Sequence, residues 1–136
     1  MLVVDASAIA ELLLGRPAAG HVEQHLVEHG FDLHAPHLLD VEVLSALRRL
    51  VASAEAAPAR ADAAVADFVD LPIERYPHDV LVSRVWELRD NFSAYDATYV
   101  ALAEALVEEQ VPLLTADARL ARAAKEHTDV PVLLVR

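Results

Sequence analysis

Met1-Leu2-Val3-Val4-Asp5-Ala6-Ser7 opens the chain with three consecutive branched apolar residues and then, without transition, an acid. A run of Leu2, Val3 and Val4 with no polar alternation reads as a strand covered on both faces, the pattern of a central strand in a parallel sheet. In open α/β sheets ligands gather just outside the carboxyl ends of the strands, so an acid at that position is either a helix cap or part of a site.

The 136 residues fit one domain spanning positions 1–136, large enough to bury roughly 68% of its unfolded surface around a single core. No repeat and no long linker interrupts it. The chain has no cysteine, which excludes disulfides, thiolate metal sites and a Cys nucleophile and makes a reducing cytoplasm the expected location. No apolar stretch approaches the ~20 residues that span a bilayer, and a basic leader with a cleavage site is missing, so a soluble, unexported protein is expected. The apolar fraction of 55% is largely alanine, a helical composition with some surface to spare for a partner. A formal net charge of −11, from 11 basic and 22 acidic residues, argues against a general nucleic-acid binder, because such proteins neutralise phosphates with their own cations. A nucleic-acid substrate would need divalent ions or a local Arg patch.

Beyond Asp5 the composition predicts a helix over residues 7–14, stopped by Gly15 and Pro17, and a second over 18–29 with Val22, Leu26 and Val27 on its apolar side. A strand over 32–35 precedes Pro36, which opens a long helix over 37–54; Pro58 separates this from a helix over 60–69 and a weak strand over 71–74. A helix over 79–90 should turn Val82, Val85, Trp86 and Leu88 inward, and Asn91-Phe92 breaks it. Ser93 begins another helix, to residue 109, packing through Val100, Leu102, Ala103, Leu106 and Val107. A strand over 111–115, a helix over 116–125 and a strand over 130–135 complete the chain. Strands alternating with helices imply right-handed β-α-β units and an α/β fold, a three-layer α/β/α sandwich on a five-stranded, mainly parallel sheet.

Two strands end in an acid, at Asp5 and, through Leu113-Leu114-Thr115-Ala116, at Asp117. Capping accounts for both: Asp5 or Ser7 could cap the first helix, Thr115 or Asp117 the last. Ser93-Ala94-Tyr95-Asp96 has capping-box form, which explains Asp96 without catalysis. On the long helix Glu42 falls at the edge of the arc made by Leu39, Val43, Leu47 and Leu50 while Asp40 falls inside it, so spacing does not choose between them.

Four segments, VVDASAIAELL (3–13), PHLLDVEVLSALRR (36–49), SAYDATYVALAEAL (93–106) and LLTADARLARAA (113–124), carry a resemblance that covers essentially the whole chain. In order and spacing the sequence resembles PIN-domain ribonucleases, specifically the VapC toxin branch of bacterial type II toxin–antitoxin systems. The resemblance implies a sheet ordered 3-2-1-4-5, which would set Asp5 beside Asp117. It implies an acidic quartet of Asp5, Glu42, Asp96 and Asp117 that is both catalytic and metal-binding, with Mg²⁺ or Mn²⁺ as cofactor and the hydroxyls of Ser7 and Thr115 in support. Glu42 is preferred to Asp40 because it occupies the acid position of the E-V-L-x-A-L-R pattern.

Four carboxylates in one pocket must raise their pKa values or hold cations. Hard oxygen ligands suit Mg²⁺ or Mn²⁺ better than Zn²⁺, and such ions activate water for phosphodiester hydrolysis. The family's cut leaves a 5′-phosphate and a 3′-hydroxyl. An RNA substrate could approach through cations and through Arg16, Arg48, Arg49, Arg89, Arg119 or Arg122. The other partners the resemblance implies are a cognate antitoxin protein, a second copy in a homodimer, and a toxin–antitoxin hetero-oligomer, with no membrane. An apolar groove between the first helices and the helix over 60–69 is the expected antitoxin contact.

Other patterns carry less. His21, His25 and His29 recur every four residues but lack the H-E-x-x-H order of a zinc protease and are expected on a solvent face. Three glycines cannot write a P-loop or dinucleotide fingerprint, and no G-x-S-x-G elbow occurs. Trp86, Tyr95 and Tyr99 read as core or interface rather than base-stacking platforms. The competing function is a non-catalytic protein-association module whose acids are helix caps.

Overall fold

The computed structural model describes residues 1–106 and 110–136. Five strands, β1 (Leu2–Val4), β2 (Leu33–Pro36), β3 (Ile73–Tyr76), β4 (Leu113–Thr115) and β5 (Val132–Leu134), form one all-parallel sheet in the order β3-β2-β1-β4-β5. Leu2, Val3 and Val4 are fully buried, as a central strand covered on both faces requires. Chain direction across the sheet reverses at β1, which pairs with β2 on one side and β4 on the other. This is the switch point at which such sheets leave a crevice beyond their strand ends.

Among the described residues seven α-helices complete the three-layer sandwich: α1 (Ala6–Leu13), α2 (Ala19–Glu28), α3 (Leu38–Ala52), α4 (Pro58–Asp70), α5 (Val82–Glu87), α6 (Ala94–Ala105) and α7 (Ala118–His127). Helix α1 packs against α2, α3 and α4, α6 crosses β1 and β2, and α7 lies along β4 and β5. Gly15, at φ +59°, lets the chain turn out of α1 where a side chain would be strained, and Pro58 opens α4 where a missing N–H costs nothing. The buried His34 on β2 is satisfied on both ring nitrogens, by Asp32 and by the Tyr76 hydroxyl, each at 2.7 Å.

Several expectations are corrected. Strand β3 starts at Ile73, two residues later than expected, because Pro72 has no N–H to give to a ladder. Val27 is 59% exposed, since α2 buries only the narrow Val22 and Leu26 stripe. The helix expected over 79–90 is a 3-10 turn (Asp79–Leu81) followed by the six-residue α5. The tighter winding of that turn shifts the helical phase, so Val82 and Trp86 point outward at 62% and 67% exposure while Leu81 and Leu88 are buried. Helix α6 closes at Ala105, where Leu106 turns extended; the expected continuation to residue 109 and the packing role of Val107 lie outside the described residues.

Candidate active site

At the carboxyl end of β1, Asp5 receives no further strand and instead begins α1. Its Oδ1 accepts from the Ala8 N–H at 3.0 Å and from the Ser7 hydroxyl at 2.7 Å, and its Oδ2 accepts from the Thr115 hydroxyl. Thr115 ends β4 beside it, the Asp5 N–H bonding to the Leu114 carbonyl at 3.1 Å. Thr115 Oγ1 also accepts from the Asp117 N–H at 3.0 Å, and Ser7 Oγ accepts from the Ala116 N–H at 2.9 Å. Both strand ends are thereby clamped by the two hydroxyls. Asp117 caps α7 through one oxygen, Oδ1, which accepts from Arg119 and Leu120.

Capping therefore holds for Asp5 and Asp117. Asp96 differs. Ser93 caps α6 by accepting from the Asp96 N–H at 3.1 Å, but no hydrogen bond returns from the Asp96 carboxylate among the described residues. The box is half closed, and the carboxylate is left to the pocket.

Asp5, Glu42, Asp96 and Asp117 line one cavity of about 220 Å³, together with Ser7, Ser45, Arg49 and Tyr99. Burial pushes the Asp5 carboxyl up from its ordinary 3.8 to about 6, against the pull of Thr115, Ala8 and Ser7, and the charge of Asp117 adds to the rise. Asp96 is raised too, first by burial and then by the charges of Asp117 and Glu42, with Arg119 opposing. Such crowding favours a bound cation. Among the described residues, however, no three His, Asp or Glu side chains form a finished metal cage. The donor set is all carboxylate and hydroxyl oxygen, which fits a hard ion that retains several of its waters.

Asp40, which spacing left level with Glu42, is outside the cavity and pairs with Arg75 of β3 at 2.7 Å. Tyr99, read from the sequence as core or interface, is 2% exposed and reaches the site: its hydroxyl donates to Glu42 Oε1 at 2.6 Å and is contacted by the Ala6 backbone. Its position three residues after Asp96 on the same helix was the available signal. Arg49, seven after Glu42 on α3, is the member of the arginine set that lines the cavity. His21 is exposed, but His25 and His29 are half-buried rather than on an open face, with a ring nitrogen of His29 bonded to the His25 carbonyl at 2.8 Å.

The PIN domain family model matches residues 2–126. Ribonuclease VapC1 of Mycobacterium tuberculosis is 48% identical over 122 residues, 89% of each chain. Ribonuclease VapC12 of the same organism is 37% identical over 98% of this chain and 99% of its own. VapC ribonuclease Mb0985 of Mycobacterium bovis is 41% identical, covering 98% of both. Among solved structures, PAE2754 from Pyrobaculum aerophilum superposes with a TM-score of 0.66 at 22% identity, over 96% of this chain and 81% of that one. Mycobacterium tuberculosis VapC20, described as a sarcin-ricin loop cleaving toxin, does so with a TM-score of 0.67 at 18% identity, over 90% and 95%.

Proposed function

Because the chain belongs to the VapC ribonucleases of the PIN-domain family, we propose that it is a divalent-metal-dependent endoribonuclease, the toxin of a type II toxin–antitoxin pair. The observation that carries the reading is the Asp96 carboxylate, which makes no capping bond among the described residues and shares a cavity with Asp5, Glu42 and Asp117. Those four acids would hold Mg²⁺ or Mn²⁺. When bound, the ion supplies charge neutralisation for a phosphodiester and a water of lowered pKa for in-line attack.

The chain's own residues do the rest. Thr115 and Ser7 fix both oxygens of Asp5, so that its carboxylate is presented without rotational freedom. Tyr99 orients Glu42 and leaves Oε2 available. Arg49, at the cavity wall, is placed to meet a phosphate that the acids alone would repel. Hydrolysis then leaves a 5′-phosphate and a 3′-hydroxyl.

The antitoxin and a second copy of the chain are the proposed protein partners. An apolar groove of about 390 Å³ lies between α3 and α4, lined by Leu44, Leu47, Val51 and Val65, and suits the apolar face of a partner helix. It involves α3 rather than α1 and α2 as expected. Outward-facing Val82 and Trp86 form a separate apolar face that a second copy would cover. Among the described residues no helix is long and apolar enough to cross a membrane, and the reading places the enzyme with its RNA, in the cytoplasm.

Cleavage of a mixed RNA pool in Mn²⁺, abolished by EDTA and by Asp96→Asn, with new ends that carry 5′-phosphate, is the expected result. The competing reading, a non-catalytic association module, is favoured only by the capping bonds of Asp5 and Asp117. It requires RNA to survive intact and the melting temperature to ignore millimolar Mn²⁺, since a bound ligand must stabilise the folded state.

A further inference from the structure

We propose that the groove between α7 and β5 binds the phosphate backbone of the RNA strand as it leaves the acidic cavity, an inference that rests on the ribonuclease reading above. The groove has a volume of about 260 Å³, with Arg122, Lys125 and Arg136 around it, Val132 and Leu134 of β5 as its apolar floor, and the small side chains of Ala118 and Ala121 keeping it open. Ala118, Ala121, Arg122 and Lys125 follow one another at helical spacings of three, one and three, so they occupy a single face of α7.

Charge gives the groove its character. Acids outnumber bases 22 to 11 in this chain, yet among the described residues three basic side chains and no acidic side chain line this groove. Of the eight basic residues outside the groove, Arg16, Arg75 and Arg84 are spent on Glu11, on Asp40 and on Glu87 with Glu104. Arg122, Lys125 and Arg136 make no ion pair among the described residues, and all three are exposed. Unpaired cations held over an apolar floor suit a polyanion with sugar and base surface between its charges.

Position ties the groove to the site. Its upper end begins at Ala118, the residue after the cavity acid Asp117, and Leu134 is the register partner of Thr115. Arg136 lies just beyond that strand end, its main-chain oxygen 2.9 Å from a ring nitrogen of His21. Arg119, whose charge acts on Asp96, stands one helical turn above Arg122. From Ala118 to Lys125 the helix rises about 10 Å, the span of about three stacked phosphates of one strand. An acidic protein segment added to the edge strand β5 is the competing occupant, but it would have no reason to start at the catalytic acids.

The test measures anisotropy of a fluorescein-labelled 12-nucleotide single-stranded RNA, in Mn²⁺, binding to full-length Asp96→Asn protein with and without Arg122→Ala and Lys125→Ala. The control is Arg60→Ala, which removes one positive charge from α4, as each groove substitution alone does from α7. The proposal expects the double substitution to weaken binding on the order of tenfold near 0.1 M salt and to flatten the log K against log salt slope by about 1.4, two single-strand phosphate contacts. Arg60→Ala should leave the slope in place, and all melting temperatures should agree. Equal losses from Arg60→Ala and from the groove variants would overturn the proposal, leaving only a net-charge effect. So would unchanged RNA binding by the groove variants while wild type still cleaves RNA, with the acidic-peptide reading favoured if their antitoxin affinity falls instead. If wild type neither binds nor cleaves RNA, the ribonuclease reading falls and takes the groove with it.

Discussion

The Tyr99 hydroxyl donates to Glu42 Oε1 across 2.6 Å, joining α6, which carries Asp96, to α3, which carries Glu42. The bond is buried at its tyrosine end, and burial followed by the bond to Glu42 holds the phenol far above its ordinary value, so it stays a donor. Tyr99→Phe keeps the ring and removes the donor. Since partners behind a ligand set its orientation, the half-saturating Mn²⁺ concentration should rise about 10- to 100-fold, read from the metal-induced rise in melting temperature. The metal-free protein should lose about 1 to 3 kcal/mol. A variant with the wild-type Mn²⁺ response would show that Glu42 needs no help from Tyr99.

Asp96→Asn separates site from cap. The cap is made by the Ser93 side chain and the Asp96 backbone, neither of which the substitution touches, and the charge it removes is pressed by Asp117 and Glu42. Metal-free stability should therefore hold or rise, while RNA cleavage disappears and the Mn²⁺ stabilisation shrinks. A loss of stability of about 0.5 to 2 kcal/mol, the usual cost of a missing cap, would return Asp96 to the capping role. Urea denaturation in EDTA measures it.

Where the sequence was readable, it was readable for a local reason. Val3-Val4-Asp5 and Leu114-Thr115-Ala116-Asp117 announce their strand ends because an apolar run must stop where burial stops. Asp40 and Glu42 could not be separated on a helical wheel, since what distinguishes them is Arg75, distant in sequence, which claims Asp40. Tyr99 was hidden for a similar reason: an aromatic at core spacing gives no sign that its hydroxyl has a carboxylate to meet. Trp86 and Val82 were placed inward because a 3-10 turn ahead of α5 cannot be told from another helical turn by composition.

Asp5 makes the metal-free protein sensitive to pH in a defined direction. Its folded value, about 6, lies above the ordinary 3.8, so the folded state holds the proton more tightly than the unfolded chain. Its stabilising effect is complete below about 3.8 and is lost as pH rises towards about 6, a change of about 3 kcal/mol at most. Asp96 shifts the same way; Asp32, which is lowered, acts only at more acid pH. Urea denaturation in EDTA should show wild type losing stability across this window relative to Asp5→Asn, and millimolar Mn²⁺ should remove the difference by stabilising the ionised form. Parallel pH profiles for the two proteins in EDTA would mean that Asp5 is ionised without strain.

Thr115→Val tests the clamp between the two strand ends. Thr115 donates to Asp5 Oδ2 and accepts from the Asp117 N–H at 3.0 Å, and it is fully buried. Valine fills the same space and offers neither bond, so both the carboxylate oxygen and the amide lose a partner. The amide contributes an unsatisfied donor, and the carboxylate loses the strongest of the hydrogen bonds that restrain its pKa. Near pH 7 the variant should be less stable by about 1 to 3 kcal/mol. At about pH 4.5, where the Asp5 carboxyl is mostly protonated and can donate rather than accept, the loss should be smaller. The Asp5-dependent transition should move above pH 6. Ser7→Ala, which leaves Thr115 in place, should move it less. If Thr115→Val costs the same at both pH values, the hydroxyl supports the backbone of β4 and not the charge of Asp5.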